Sequence, residues 1–248
     1  MIKLPELLEK DAPPKIGAIY KEIMASCRAP MVALVYRHLA TQGSALTWAW
    51  GALAPIMRSG DLPSAAREIV SVASFPVVQN INDKNLIEFD LLDTDINAIR
   101  YIISGYHAAN PCNIISTLIL LKILALTEGK GEAAPMPKSS NLFSEATRLP
   151  KLPPMVDPER LPQVLLKLRP QTATSVGLVP SLYRHLGHWP IWLEDVAENS
   201  LIPLYKSGQI AYHSNKLILY TQKLKYTHIC FTFLHGTLAE YPVYILLH

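Results

Sequence analysis

A five-residue run occurs twice in this chain, and it constrains the fold more than any other feature. Val35-Tyr36-Arg37-His38-Leu39 returns as Leu182-Tyr183-Arg184-His185-Leu186, four identities in five at an offset of 147. One residue later in register, Leu53, Pro55, Ser59 and Gly60 fall on Leu201, Pro203, Ser207 and Gly208. Internal repetition of this kind implies that one helical unit is used twice. Between the copies, residues 135–158 hold six of the 20 prolines, which can run neither as helix nor as central strand. The expected organisation is a first repeat over 1–134, a Pro-rich linker over 135–158 and a second repeat over 159–248, truncated or divergent after about 212.

The periodicity in both copies is helical. Ile16, Ile19, Tyr20, Ile23 and Met24 recur at spacings of three and four and make one apolar stripe. Ser44 caps a helix over Ala45 to Ser59, with Gly60 where a left-handed terminal residue belongs and Pro55 kinking the interior. Asp61 or Ser64 starts a helix reaching Ser74, and Phe75 to Asp90 reads as irregular. A helix from Thr94 or Asp95 ends near Ala108, and Asn110-Pro111 restarts another, an N-cap followed by proline at the first helical position. The run after it is apolar nearly all round and therefore central. In the second copy, Leu161 to Leu168 supplies the first stripe and Pro190 to Ser207 the kinked helix. The counterpart of Asn110 would fall past His248, so the second repeat lacks its last helix pair.

Composition removes several classes of function. Half the residues are apolar and 17% charged, as in a chain with a packed core, and the net charge of +3 lacks the basic clusters that phosphate backbones demand. Nucleic acid is not an expected partner. Residues 1–14 do not read as a secretory signal, and Ile114 to Leu126 is too short for a membrane span and carries Lys122, so a cytoplasmic protein with no membrane partner is expected. Cys27, Cys112 and Cys230 are too widely spaced for a disulfide framework or a zinc site, and none opens a Cys-x-x-Cys pair. His185 and His188, three apart, have no third ligand, so no metal and no other cofactor is expected.

Asp11-Ala12 before an amphipathic helix, Tyr36 to Ala40, Tyr106 to Pro111, and above all Pro180-Ser181-Leu182-Tyr183-Arg184-His185-Leu186-Gly187-His188-Trp189-Pro190 resemble the group I 2-haloacid dehalogenases, also labelled halocarboxylic acid dehydrogenases or dehalogenases. The resemblance runs from about residue 10 to about 210. It implies an all-α fold of two tandem repeats, each similar to the alkyl-hydroperoxidase D superfamily and together forming a pseudo-dimer with the site between them. It also implies hydrolysis of small 2-haloalkanoic acids by direct attack of water at the 2-carbon, without a cofactor. Asn110 falls at the family's water-orienting asparagine. The family's catalytic aspartate falls at or next to His185, where this chain has no Asp.

A water-attacking site needs a base, a group that aims the water, and donors for carboxylate and halide. His185 is the candidate base, because imidazole titrates near neutral pH, and Asn110 the aiming group, whether or not it also caps a helix. His38 shares the repeat position of His185, so a common structural histidine is the alternative. Arg37 and Arg184 could hold a substrate carboxylate bidentately or form a structural ion pair, with Tyr36 and Tyr183 beside them. Trp48, Trp50, Trp189 and Trp192 could wall a small apolar pocket, or belong to the core as tryptophans at helical spacing commonly do. The expected partner is a small carboxylic acid, with a homodimer left open. The competing functional reading is a catalytically degenerate homologue acting as a binding or interaction protein.

Overall fold

A computed structural model of the chain describes residues 4–72, 89–126, 149–168 and 179–223. These residues are all-α, with no strand among them. The order is α1 (Pro14–Cys27), α2 (Leu34–Leu39), α3 (Ala45–Arg58), α4 (Asp61–Val72), α5 (Asp93–Leu126), α6 (Ser181–Leu186), α7 (Pro190–Val196), α8 (Ile202–Lys206) and α9 (Gln209–Lys223), with 3-10 turns at Glu9–Asp11, Pro158–Arg160 and Gln163–Leu168. One hydrophobic core runs from Ile19 to Leu217 and draws residues from both halves of the chain.

The recurring sequence produces recurring local geometry. Ser59 N–H donates to the carbonyl of Pro55 at 3.0 Å and Ser207 N–H to that of Pro203 at 2.9 Å. Gly60 and Gly208 then leave their helices at φ of +82° and +74°, values at which a Cβ would be strained. The segments before α2 and α6 match as well: Leu7 N–H donates to the Arg37 carbonyl at 3.0 Å, and Val156 N–H to the Arg184 carbonyl at 2.9 Å. The pair Leu7 and Val156 extends the correspondence into the end of the Pro-rich stretch, whose described part, 149–157, is neither helix nor strand.

Three expectations are corrected. The restart at Asn110-Pro111 does not occur, because α5 runs through Pro111 as a single helix of 34 residues. Proline in a helix interior costs about 3 kcal/mol because its carbonyl four residues back loses a donor. Ile114, Ile115 and Leu118 are each fully buried, and at about 1.5–3 kcal/mol per side chain their burial outweighs that cost. The first stripe of the second half, Gln163–Leu168, is a 3-10 turn and not an α-helix. The kink also differs between halves: α3 stays α-helical across Pro55, whereas α7 and α8 are joined by a π-turn, Ala197–Leu201, closed by Ile202 N–H donating to the Ala197 carbonyl. Most of the expected irregular passage after Ser74, most of the linker and the tail after 223 lie outside the described residues.

Helix α5 positions the rest. By length and composition it could cross a membrane, yet it packs against α1, α3, α4 and α6 and buries its apolar faces there. Gly105 permits the close crossing with the segment after α1, since a Cβ there would lie 2.9 Å from two ring carbons of Pro30.

Candidate functional site

The candidate site forms where α2 and α5 of the first half meet α6 of the second. Six consecutive residues of α6, Ser181 to Leu186, are all buried. Burying the polar ones requires partners, since an unsatisfied buried polar group costs several kcal/mol. Those partners come from distant parts of the chain.

Glu6, on the extended segment before α1, lies between the two repeated arginines. Its carboxylate takes Arg37 Nε at 3.0 Å on one oxygen and Arg184 Nη1 at 3.2 Å on the other, and all three side chains are more than nine-tenths buried. Arg37 also donates to the Val32 carbonyl at 2.8 Å and approaches Ser181 Oγ at 3.4 Å and Met155 Sδ at 3.8 Å. Arg184 Nε donates to the Val156 carbonyl at 3.2 Å. Two guanidinium groups and one carboxylate leave one positive charge in excess. By the correspondence of Leu7 with Val156, Met155 stands where a second carboxylate would face Arg37.

His185 is beside this cluster. Its Nδ1 lies 2.7 Å from the Tyr106 hydroxyl, with ring centroids 5.7 Å apart and planes tilted by 60°. Burial lowers the imidazole pKa from 6.5 to about 3, the Arg37 and Arg184 charges and His188 adding to the effect, while a backbone hydrogen bond at Ser181 opposes it. The imidazole is therefore neutral throughout the physiological range, which replaces the expected titration near 6.5. The idea of one structural histidine shared by the repeats also fails. His38 Nδ1 pairs with the Pro5 carbonyl at 2.8 Å, and in the second half it is His188, through Nε2, that takes the matching Pro154 carbonyl at 2.7 Å.

Asn110 is buried inside α5, one turn beyond Tyr106, and accepts from Asn113 Nδ2 at 3.3 Å through Oδ1. The N-cap role expected for it is absent because no helix begins there. Tyr106, Asn110 and Asn113, at i, i+4 and i+7, share one face of the helix, the face that meets His185. Tyr36 and Tyr183 are both buried in the core, and burial raises the Tyr36 hydroxyl far above the usual phenol value. Trp48 and Trp189 are half-buried, and Trp189 Nε1 donates to Asp95 Oδ1 at 3.0 Å, which lowers the Asp95 pKa. So α5 and α6 bring His185 together with the face carrying Asn110, the arginines gather around Glu6, and Trp48 is not drawn into this cluster by any observed bond.

Sequence reasoning missed Glu6, Met155 and the partnership of Tyr106 with His185. It also missed that Cys27 and Cys112 meet in the first-half core, where the Cys112 contact and burial raise the Cys27 thiol pKa. None of these carries a local signal, since the partners are far apart in the chain, from Glu6 with Arg37 to Arg184 with Glu6 at 178 residues.

No family model matches the chain, and no curated protein matches it significantly. Solved structures do. A D-2-haloacid dehalogenase in complex with L-LA matches with a TM-score of 0.63 and 15% identity, over 98% of this chain and 91% of its own. A D-2-haloacid dehalogenase mutant in complex with D-2-CPA matches with a TM-score of 0.61 and 16% identity over the same shares. This chain has the fold of those dehalogenases.

Proposed function

We propose that the protein is a 2-haloacid dehalogenase-like hydrolase, built from two tandem alkyl-hydroperoxidase D-like repeats, acting on small 2-haloalkanoic acids without a cofactor. The carrying observation is the neutral, buried His185 of α6 packed against the face of α5 that bears Tyr106 and Asn110; the likeness of fold to D-2-haloacid dehalogenases supports the substrate class. In this reading Asn110 aims a water, its oxygen bonds to the 2-carbon, the carbon–halogen bond breaks with its electron pair on the halide, and the proton of water passes to His185.

The charge cluster supplies the driving force. With Glu6 already bound, Arg37 and Arg184 act on the substrate through their excess positive charge, which favours an anion nearby. An imidazole with a pKa of about 3 is a weak base in the free protein. A bound carboxylate cancels part of the arginine potential and raises its basicity when substrate is present.

Purified protein is expected to release halide from racemic 2-chloropropionate. Because kcat/KM reports the free enzyme, it should be flat from pH 8 down to about 5 with no step near 6.5. His185→Ala should lose about 10² to 10⁴-fold, the usual contribution of a positioned base, and His185→Asp should retain or raise the rate. One observation favours the second reading, a non-catalytic small-molecule binding protein: Glu6 occupies the arginines that would otherwise hold the ligand. Inactivity of the wild type, His185→Ala and His185→Asp on several 2-haloacids would decide for it.

A further inference from the structure

Arg37 and Arg184 hold equivalent repeat positions but are not equally served. Arg184 places Nε on the Val156 carbonyl at 3.2 Å and Nη1 on Glu6 Oε1 at 3.2 Å. Arg37 places Nη1 on the Val32 carbonyl at 2.8 Å and Nε against Glu6 Oε2 at 3.0 Å, which leaves its Nη2. That nitrogen meets two neutral groups, Ser181 Oγ at 3.4 Å and Met155 Sδ at 3.8 Å. A guanidinium bonds an anionic oxygen at about 2.7–2.9 Å, and a thioether is a weak acceptor, so a buried cationic donor is left here with its two longest contacts. The repeat shows what such a donor takes. Leu7 and Val156 make matching backbone bonds, so Glu6 and Met155 are counterparts: Glu6 reaches across to Arg184 with a carboxylate, and Met155 reaches across to Arg37 with a sulfur. Arg37 is buried, whereas Met155 is half-buried and its neighbour Pro154 exposed, so the way from solvent to Nη2 leads past one flexible thioether.

We propose that Arg37 Nη2 and Ser181 Oγ form a seat for the carboxylate of a small monocarboxylic acid, entered when the Met155 side chain swings aside. The acid takes the place opposite Arg37 that Glu6 fills opposite Arg184. A Met side chain and a short carboxylic acid are similar in volume, so the exchange leaves no void. Ser181 Oγ accepts from Arg37 and still has its own proton to donate to the second carboxylate oxygen. The bound anion also cancels the one positive charge that Glu6 leaves uncompensated, a gain that a neutral ligand cannot supply and a dianion would overshoot. Arg37 is near enough to His185 for its charge to act on that ring, so an acid seated there is held beside the candidate base. The seat deepens the hydrolase reading, and rests on it only for what becomes of the acid once bound.

The test uses propionate, which has the carboxylate and no halogen, with binding followed by calorimetry at constant ionic strength. Wild type should bind it with a Kd on the order of 1 to 10 mM, as befits so small a ligand, and the neutral propionamide should not bind measurably. Met155→Glu puts the repeat's own carboxylate into the seat, and an internal group at an effective concentration of about a millimolar or more should weaken propionate about tenfold or more. Met155→Leu, which keeps an apolar cover, should bind it as wild type does. Should Met155→Glu fail to fold, the wild type still decides: propionate should move the Arg37 Nε–H resonance in ¹H–¹⁵N spectra and leave that of Arg58, paired with Glu22, in place. No binding of propionate by wild type, equal binding of propionamide, undiminished binding by Met155→Glu, or an unmoved Arg37 signal each overturns the seat. If propionate binds at Arg37 and no 2-haloacid releases halide, the seat stands and the hydrolase reading falls. Halide release by Met155→Glu at the wild-type KM overturns the seat and leaves the hydrolase reading standing.

Discussion

Acidification should destabilise this protein through His185 in particular. In the unfolded chain the imidazole has its ordinary pKa near 6.5; in the folded protein burial and the two arginines hold it at about 3. The unfolded state therefore binds more protons between those values, so the histidine's contribution is complete above 6.5 and is lost as pH falls toward 3. From pH 7 to pH 5 the loss is about 2 kcal/mol, and over the whole interval roughly 4 to 5 kcal/mol at about 1.4 kcal/mol per pH unit. The first figure depends little on the folded value, since the imidazole is unprotonated at pH 5 whether that value is 3 or 4. The physical origin is burial first, which disfavours the charged ring, and then charge, since protonation would add a second uncompensated positive charge to a cluster that already carries one.

The assay is urea unfolding at pH 7 and pH 5 for wild type and His185→Gln, which keeps a hydrogen-bonding group toward Tyr106 without a titrating one. Every other group is common to both proteins and cancels in the comparison. Wild type should lose about 2 kcal/mol more than the variant. Equal losses in the two proteins would refute the argument that His185 is held neutral by its surroundings.

Glu6→Gln should cost about 3 to 5 kcal/mol in urea unfolding, because it strands two buried guanidinium groups, and a loss below about 1 kcal/mol would refute the clamp. Met155→Glu puts a carboxylate opposite Arg37 and should raise the His185 pKa, shrinking the acid sensitivity above; an unchanged ¹H–¹⁵N titration of His185 would count against the charge argument. Gly105→Ala gains up to about 1 kcal/mol of helix propensity yet should destabilise by about 1 to 3 kcal/mol net, since the new Cβ meets the rigid Pro30 ring, and a rise in Tm would show that the crossing relaxes.

What could be read from the sequence is what depends on neighbours in the chain. The turn at Ser59-Gly60 and its copy at Ser207-Gly208 follow from a serine-glycine pair at a helix end, where only glycine takes positive φ at little cost, and both were legible. The bounds of α3 were legible to within a residue, its end for the same reason and its start at Ser44, although the Ser44 side chain does not make the expected capping bond. Asn110-Pro111 shows the limit. Its local preference is for a helix start, but the apolar residues after it are buried on several sides, and that tertiary term exceeds the local one. The site was half legible: repetition singled out Arg37, Arg184 and His185, while Glu6 and Tyr106 are common residue types whose roles depend only on what lies across the interface.

The recurring motifs make matching backbone hydrogen bonds but differ in charge, and the difference falls at one place. A fully symmetric version would pair two arginines with two carboxylates and leave the interface neutral. Here Glu6 has Met155 as its counterpart, so one positive charge stays uncompensated beside α6. His38 likewise reaches a proline carbonyl that His188 takes over in the second half, which releases His185 from that bond and lets it turn to Tyr106. Burial and the excess charge keep His185 neutral, and the neutral ring hydrogen-bonds the Tyr106 phenol. Each departure from symmetry thus makes the next one useful, and the proposed site is built from residues that the recurring motifs do not share.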